Sequence, residues 1–244
     1  MSMEASYGKT RITVCDDSLD LGRRVGADVA ALLRQLLAAQ AEVVMILASA
    51  ESQVAFLNTL AAEGDIDWSR VVCFNMDELW DPNMSEDCTC GHLTDRLLYK
   101  RVSPKRAEMI DSRAADPEAE ARRFEALLRA AGPVDILCQG IGTSGHIALC
   151  EPDQIDFASN RWVEVVEVVE QSRQQLATDP AFMAMGSIPS KGITMTLPAL
   201  FSARNKFTIV PFASKRPILT RLLETLVPTT SLPASILRWH EGRL

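Results

Sequence analysis

The residues best suited to chemistry lie in a glycine-rich stretch near the middle of the chain. An apolar run at residues 136–138, short enough for one buried strand, leads into three closely spaced glycines, which are Gly140, Gly142 and Gly145. His146 follows the third glycine directly, and Glu151 follows five residues later, just before Pro152. Such glycines allow a tight turn and a close approach of the backbone to a ligand. Because ligands of open α/β sheets bind outside the carboxyl ends of strands, the stretch predicts a functional site rather than a turn with a solvated histidine.

The glycine spacing also matches the G-x-G-x-x-G pattern of dinucleotide-binding folds. That pattern requires a long helix that opens at the third glycine. Here Pro152 would interrupt such a helix after seven residues, so we rank a dinucleotide site low.

Two adjacent acids form a second candidate site. Asp77 and Glu78 directly follow an apolar strand predicted at residues 71–76. A solvated strand end would explain either acid alone. Parallel strands, however, bring their carboxyl ends to one edge of a sheet, so we expect Asp77 and His146 to converge.

The remaining pattern alternates short apolar strands with amphipathic helices. The predicted strands are 12–15, 43–47, 71–76, 134–139, 162–169, 192–197 and 207–212. Helices are predicted up to residue 39, after residue 53, and at residues 93–99, 117–131 and 214–226. This alternation indicates an α/β fold with a parallel or mixed, doubly wound sheet. No repeat or linker divides the chain, so residues 1–244 are expected to form a single domain.

Composition excludes several classes of protein. The 244 residues are 47% hydrophobic and 23% charged, with a formal net charge of −7, and they contain no basic run. These values argue against nucleic acid and anionic membranes as partners. The first nine residues lack the apolar core of a secretory signal, and no apolar run approaches the ~20 residues of a membrane span. Cysteines within apolar runs favour buried thiols in a reducing cytoplasm.

Two segments resemble the signatures of the glucosamine-6-phosphate deaminase family. They are residues 74–78, Phe-Asn-Met-Asp-Glu, and residues 140–152, which contain the glycine-histidine turn and the Glu-Pro pair. Further similar segments lie at residues 188–194, 213–215 and 233–237, the last resembling a C-terminal helix. The resemblance implies a Rossmann-like α/β/α sandwich with a mostly parallel sheet. It also implies hydrolytic deamination of an aminohexose 6-phosphate, either glucosamine 6-phosphate or a relative such as galactosamine 6-phosphate.

The implied products are a ketohexose 6-phosphate and ammonia, formed without a metal or redox cofactor. The expected partner is a small phosphorylated sugar, and a homo-oligomer is left open. The residues suit this chemistry, since moving a proton between neighbouring carbons needs a base such as a carboxylate with a raised pKa. We assign that role to Asp77. We expect His146 to exchange protons during ring opening, and Glu151 to orient the imidazole.

Two departures from the family pattern concern the histidine and the phosphate. The family has an aspartate at the position of Ser144, and a serine cannot hold an imidazolium by charge. Its phosphate loop has paired glycines where this chain has Ala-Ser-Ala-Glu-Ser-Gln at residues 48–53. Ser49 and Ser52 can still donate hydroxyls there, whereas Glu51 would repel a phosphate if it pointed inward.

The remaining binding residues are assigned partly by resemblance. Arg173 and Lys215 are the implied phosphate ligands, since a guanidinium and an ammonium match a phosphate group well. The other predicted substrate-binding residues are Glu78, Gly142 and Gly145.

Three alternatives stay open. Residues 193–200 equally resemble the sister family of 6-phosphogluconolactonases, although Glu151 and the acidic run at residues 75–78 argue against lactone hydrolysis. A phosphosugar-binding homologue without catalysis would also explain Ser144 and the altered loop. Finally, a metal site would use the closely spaced residues Cys88, Cys90 and His92, but a structural zinc ion needs four ligands.

Overall fold

Two β-sheets and eight α-helices make up the described part of the chain. The computed structural model describes residues 3–85, 89–178, 180, 182 and 187–244. The strands are β1 (Met3–Tyr7), β2 (Thr10–Val14), β3 (Val43–Leu47), β4 (Val71–Asn75), β5 (Asp77–Trp80), β6 (Arg106–Glu108), β7 (Ile136–Gln139), β8 (Val163–Glu167), β9 (Lys191–Met195), β10 (Asn205–Thr208) and β11 (Gly242–Arg243). The helices are α1 (Ser18–Ala39), α2 (Val54–Ala62), α3 (Cys90–Thr94), α4 (Lys100–Val102), α5 (Pro117–Ala130), α6 (Glu170–Ala177), α7 (Leu197–Phe201) and α8 (Arg216–Glu224).

Shorter helical segments connect these elements. A π-helical segment, Asp95–Tyr99, joins α3 to α4. Short 3-10 helices lie at Glu51–Gln53, Trp68–Arg70, Ala213–Lys215 and Pro233–Trp239.

The larger sheet is mostly parallel, as predicted. Its strand order is β1-β2-β11-β10-β7-β3-β4-β6, and only the β1–β2 pair is antiparallel. From β3 the chain continues to β4 and β6 on one side, whereas from β7 it continues to β10 on the other. The direction therefore reverses between β3 and β7. In open α/β sheets, the crevice at such a reversal is where ligands bind.

Successive side chains of the central strands point alternately into two apolar cores, one on each face of the larger sheet. All five residues of β3 are buried, with Val44 and Ile46 on one face and Val43, Met45 and Leu47 on the other. Helices α1 and α2 cover the second face, whereas α5, α7, α8 and the smaller sheet cover the first. Each fully buried aliphatic side chain contributes ~1.5–3 kcal/mol of transfer free energy. The result is the predicted α/β/α arrangement of three layers.

The two sheets meet at Met76, and this junction positions the acids. The sequence predicted one strand at residues 71–76 that ends in two carboxylates. Instead, β4 ends at Asn75, and Asp77 opens β5, which pairs antiparallel with β9 in a three-stranded sheet of order β5-β9-β8. The Met76 N–H donates to the carbonyl of Leu47 at 3.2 Å, and its carbonyl accepts from the N–H of Met195 at 2.8 Å. Asp77 therefore lies beside the carboxyl ends of β3 and β4 rather than on a free strand end.

Several element boundaries differ from the sequence predictions. Helix α1 begins directly after Asp17, whose carboxylate accepts from the N–H of Asp20 at 2.7 Å and so caps the helix. The predicted strand at 207–212 ends at Thr208, and the following segment leads into the 3-10 turn that carries Lys215. The segment that resembles a C-terminal helix is a 3-10 helix, and its residues 233–237 are all buried. Strands β1, β6 and β11 and helix α6 were not predicted, because they are short or strongly polar.

The described residues contain neither a membrane-spanning helix nor a metal-binding cluster. Over residues 3–85, 89–178, 180, 182 and 187–244, no helix has the length and apolarity needed to cross a bilayer. Within the same residues, no group of three or more His, Cys, Asp and Glu side chains is arranged to hold a metal ion. Cys88, one member of the alternative metal site, lies outside the described residues.

Candidate active site

One cavity lies at the point where the larger sheet reverses direction, and it collects most of the predicted site residues. It encloses about 730 Å³ when the open space at its mouth is included. Six of the predicted residues line it, namely Ser49, Ser52, Asp77, Gly142, His146 and Lys215. The loops after β3, β4 and β7 thus converge, as expected from the parallel order of their strands.

Asp77 has the properties of a base that works near neutral pH. Its pKa is raised to about 7, mainly by burial and also by the neighbouring Glu78, whereas nearby His146 opposes the shift. A carboxylate with this pKa is partly deprotonated at neutral pH and still basic enough to accept a proton from carbon.

Glu78 is placed differently from the prediction that it binds substrate. It is buried and does not line the cavity. Its carboxylate accepts backbone N–H groups of Leu79 at 3.0 Å and of Cys90 and Gly91 at 2.8 Å each. Burial raises the pKa of Glu78 to about 7, although these N–H groups lower it. Glu78 therefore fixes the start of α3 against β5 and lies behind Asp77.

Three oxygen atoms surround Nδ1 of His146. Ser144 Oγ lies 2.8 Å from this nitrogen, Ser172 Oγ 3.2 Å and Glu151 Oε2 3.3 Å. Ser144 also donates to Glu151 Oε2 at 3.0 Å. His146 and Glu151, five residues apart in the sequence, are thus in contact across the turn.

Glu151 is the charged member of this group. Only 1% of its surface is exposed. Burial raises its pKa, but the hydrogen bond and charge of His146, together with the hydroxyls of Ser172 and Ser144, lower it more, so the net shift is downward. A buried carboxylate that keeps its negative charge can orient an imidazole and stabilise its protonated form.

The two glycines of the turn each make room for a neighbouring side chain. A Cβ atom on Gly142 would lie 1.9 Å from His146 Nε2, so the imidazole occupies the space above this glycine. Gly145 has φ of +89°, and a Cβ there would lie 2.3 Å from Leu232. No helix follows Gly145, and residues 147 and 150 form an isolated bridge instead. The dinucleotide pattern therefore lacks its helix, as expected.

The altered loop at residues 48–53 forms the opposite wall of the cavity. The Ser49 hydroxyl contacts the Cys90 carbonyl and lies 2.5 Å from Thr94 Oγ1, so it serves the packing of α3. Ser52 Oγ accepts from Gln53 Nε2 at 3.0 Å. Glu51 does not line the cavity. Its carboxylate therefore does not point at a phosphate bound there in the way that would cause repulsion.

The two predicted phosphate ligands have different positions. Lys215 is buried and lines the cavity from the 3-10 turn that precedes α8. Arg173 does not line it, because its guanidinium donates to the Ile188 carbonyl at 3.1 Å and to Glu170 Oε2 at 2.9 Å.

Helix α6 supplies residues that the sequence did not indicate. Ser172 contacts the histidine, whereas the side-chain oxygen Oε1 of Gln175 accepts the N–H and the hydroxyl of Thr143 at 3.0 and 2.5 Å. Both residues line the cavity. Residues 170–177 read Glu-Gln-Ser-Arg-Gln-Gln-Leu-Ala, and this polar run carries no helical periodicity that could have revealed them.

Comparison with known proteins decides the family. The model of the family described as glucosamine-6-phosphate isomerases/6-phosphogluconolactonase matches residues 16–244. The chain belongs to this family. The resemblance inferred from the sequence is therefore confirmed for nearly the whole chain.

Curated members of the glucosamine-6-phosphate isomerase/6-phosphogluconolactonase family align over most of their length. The glucosamine-6-phosphate deaminase of Halothermothrix orenii is 28% identical over 225 residues, which are 89% of this chain and 90% of the relative. The deaminase of a Geobacillus species is 35% identical over 175 residues, covering 71% of this chain and 67% of the relative.

Solved structures from the same family share the fold. A monomeric glucosamine-6-phosphate deaminase superposes with a TM-score of 0.83 at 25% identity, covering 95% of this chain and 94% of that one. The 6-phosphogluconolactonase of Plasmodium vivax gives a TM-score of 0.80 at 13% identity, covering 98% and 91%. That of Thermotoga maritima gives 0.74 at 19% identity, covering 95% and 96%. At such identities, the two lactonases show similarity of fold alone.

Proposed function

We propose that this protein is an enzyme of the glucosamine-6-phosphate deaminase type, converting an aminohexose 6-phosphate and water into a ketohexose 6-phosphate and ammonia. The observation that carries the proposal is Asp77, a carboxylate with a pKa of about 7 that lines the same cavity as His146, while the imidazole of His146 contacts buried Glu151. Curated relatives with the deaminase name, aligned over most of the chain, support it.

Ring opening is the first step, and His146 serves it. The closed sugar must lose the proton of its anomeric hydroxyl and gain one on its ring oxygen. An imidazole can take the first proton and return the second, since a neutral ring has one nitrogen that accepts a proton and the charged ring donates one. Buried Glu151 stabilises the charged imidazole between the two transfers.

Proton transfer between carbons is the second step, and Asp77 serves it. The carboxylate removes the proton of C2, next to the newly formed aldehyde, and a proton is then delivered to C1. C1 is reduced from an aldehyde to an alcohol while C2 is oxidised from an amine to an imine, so the two changes in oxidation level balance within the sugar. Water then adds to C2, and ammonia leaves. No external oxidant or reductant takes part in this sequence.

The phosphate end of the sugar is assigned to Lys215 and the loop after β3. The ammonium group comes from a buried residue of the cavity wall, and Ser52 lines the same cavity. The 3-10 turn of residues 51–53 runs directly into α2. The first backbone N–H groups of a helical segment have no partner within the helix and can bind an anion. Arg173 is left out of this assignment, because it does not line the cavity.

Lactone hydrolysis is the weaker candidate. It is supported by the joint family description, by the resemblance of residues 193–200 and by similarity of fold. Opening a 6-phosphogluconolactone requires activated water but moves no proton between carbons, so a base placed for that transfer has less use. A binding homologue without catalysis would not need a carboxylate with a raised pKa beside a charge-stabilised histidine.

The test is a panel of substrates given to the purified protein. Ammonia and ketohexose 6-phosphate are measured with glucosamine 6-phosphate, galactosamine 6-phosphate and the unphosphorylated sugars, and hydrolysis is measured with 6-phosphogluconolactone. We expect equal amounts of ammonia and ketose from at least one phosphorylated amino sugar. Lactone hydrolysis without ammonia from any amino sugar would overturn the proposal in favour of a lactonase. Binding without any turnover would overturn it in favour of a binding protein.

A further inference from the structure

Nδ1 of His146 has three oxygen atoms within hydrogen-bonding reach, whereas a proton on Nδ1 can form only one strong hydrogen bond. Two hydroxyls and one carboxylate oxygen lie within 3.3 Å of it. Ser172 and Glu151 are each 1% exposed and Ser144 is 8% exposed, so bulk solvent has little access to these contacts. The hydrogen bonds among these four side chains therefore determine which atoms carry the protons.

Counting donors fixes where those protons go. The carboxylate of Glu151 only accepts, and its Oε1 atom is buried without a partner, so it requires every donor within reach. Ser144 has one hydroxyl proton and donates it to Glu151 Oε2 at 3.0 Å. Its oxygen then faces Nδ1 at 2.8 Å only as an acceptor. A hydrogen bond between the two therefore requires the proton to be on Nδ1.

Ser172 contacts the same two groups. Its hydroxyl lies 3.2 Å from Nδ1 and also stabilises the charge of Glu151. Its position depends on α6, which is tied to the glycine turn by the two hydrogen bonds from Thr143 to Gln175. Both serine hydroxyls thus contact Nδ1, and both stabilise the charge of Glu151.

We infer that Ser172 is a positioning residue that, together with Ser144, bridges His146 to Glu151 and holds the neutral imidazole with its proton on Nδ1. Two neutral hydroxyls thereby take the place of the second carboxylate that the family pattern has at position 144. Nε2 then carries a lone pair in the cavity, so the histidine begins the reaction as a proton acceptor. For its kinetic consequence, this inference rests on the proposed deaminase function.

The direct test is nitrogen-15 NMR of the histidine side chains in the full-length protein, with the His146 signals identified by their loss in a His146→Gln variant. For the neutral imidazole, we expect Nδ1 at the shift of a protonated nitrogen and Nε2 at that of an unprotonated one. The Ser144→Ala/Ser172→Ala double variant should mix the two tautomers. Ser112→Ala, which removes a buried hydroxyl elsewhere, should leave both shifts unchanged.

Kinetics supply a second measure. Ser172→Ala should lower kcat about tenfold, with a smaller change in KM, and should move the pH profile of kcat. Ser144→Asp in the Ser172→Ala background should restore most of the lost kcat, because the new carboxylate can accept a hydrogen bond from Nδ1–H. Wild-type protein with the proton on Nε2, or a Ser172→Ala variant with unchanged nitrogen shifts and pH profile, would overturn the inference. If instead the shifts behave as expected and no ammonia is formed, the deaminase proposal fails while the role of Ser172 in fixing the tautomer stands.

Discussion

Adding one methyl group at Gly142 should disable the site without unfolding the protein. In the Gly142→Ala variant, the new Cβ atom would lie 1.9 Å from Nε2, 2.1 Å from Cε1 and 2.4 Å from Cδ2 of His146. Since ordinary contacts begin near 3.4 Å, the imidazole must move by about 1.5 Å. A displacement of ~1 Å can cost ~100-fold in rate when reacting groups must be aligned. We therefore expect kcat to fall by ~100-fold or more.

The chain offers a matched control two residues away. At Gly140 an added Cβ meets nothing closer than 3.4 Å, the nearest atoms being Gln53 Nε2 and Ser52 Oγ. Neither glycine has a positive φ, so alanine introduces no backbone strain at either position. Gly140→Ala should keep most of the activity, and both variants should unfold within a few degrees of the wild type.

The assay is ammonia release from glucosamine 6-phosphate, with thermal unfolding measured on the same preparations. A folded Gly142→Ala protein with wild-type kcat would show that His146 does not act from the observed position. Equal losses in the Gly140→Ala and Gly142→Ala variants would show that the turn itself, and not the imidazole, was disturbed.

Three further predictions concern Asp77, the two cations and the serine of the altered loop. Because the pKa of Asp77 is raised to about 7, its protonated form stabilises the fold at low pH, and this contribution is lost as pH rises from about 4 through 7. Asp77→Asn should therefore be more stable than the wild type at pH 8, with the difference shrinking towards pH 4 in urea unfolding; a difference independent of pH would contradict the assigned environment. Lys215→Gln should weaken glucosamine 6-phosphate binding ~10- to 100-fold in calorimetry while Arg173→Gln changes it little, and the reverse order would refute the phosphate assignment. Ser49→Ala should cost ~1–3 kcal/mol in unfolding free energy and leave KM nearly unchanged, since the hydroxyl serves the buried Cys90 carbonyl; a large rise in KM at full stability would make it a substrate ligand.

The sequence predicted the parallel core well, because the signal there is strong and local. Residues 43–47 form one uninterrupted apolar run, and the observed strand β3 has the same limits. The convergence of Asp77 and His146 was also predictable, since both follow central strands whose carboxyl ends share one edge. In these cases, the hydrophobic pattern and one rule of topology were sufficient.

Other features depend on contacts between distant segments, which no local pattern encodes. Strand β5 exists because residues 77–80 pair with β9, more than a hundred residues later in the chain. Arg173, which we predicted to bind the phosphate, does not line the cavity, and its guanidinium donates to Glu170 and to the Ile188 carbonyl. No local sequence pattern indicates these contacts. Ser172 lies in a polar run, and its importance emerges only when the fold brings α6 to His146.

Following the C2 hydrogen of the substrate tests the central claim most directly. Glucosamine 6-phosphate labelled with deuterium at C2 is given to the wild type and to Asp77→Asn, and the fate of the label and the release of ammonia are measured together. We predict that the wild type moves the deuterium from C2 to C1 or to solvent as fast as it releases ammonia. The folded Asp77→Asn variant should still bind the sugar but should lose ~100- to 10,000-fold in both rates. Equal rates in the two proteins, or ammonia release with the label retained at C2, would contradict the account.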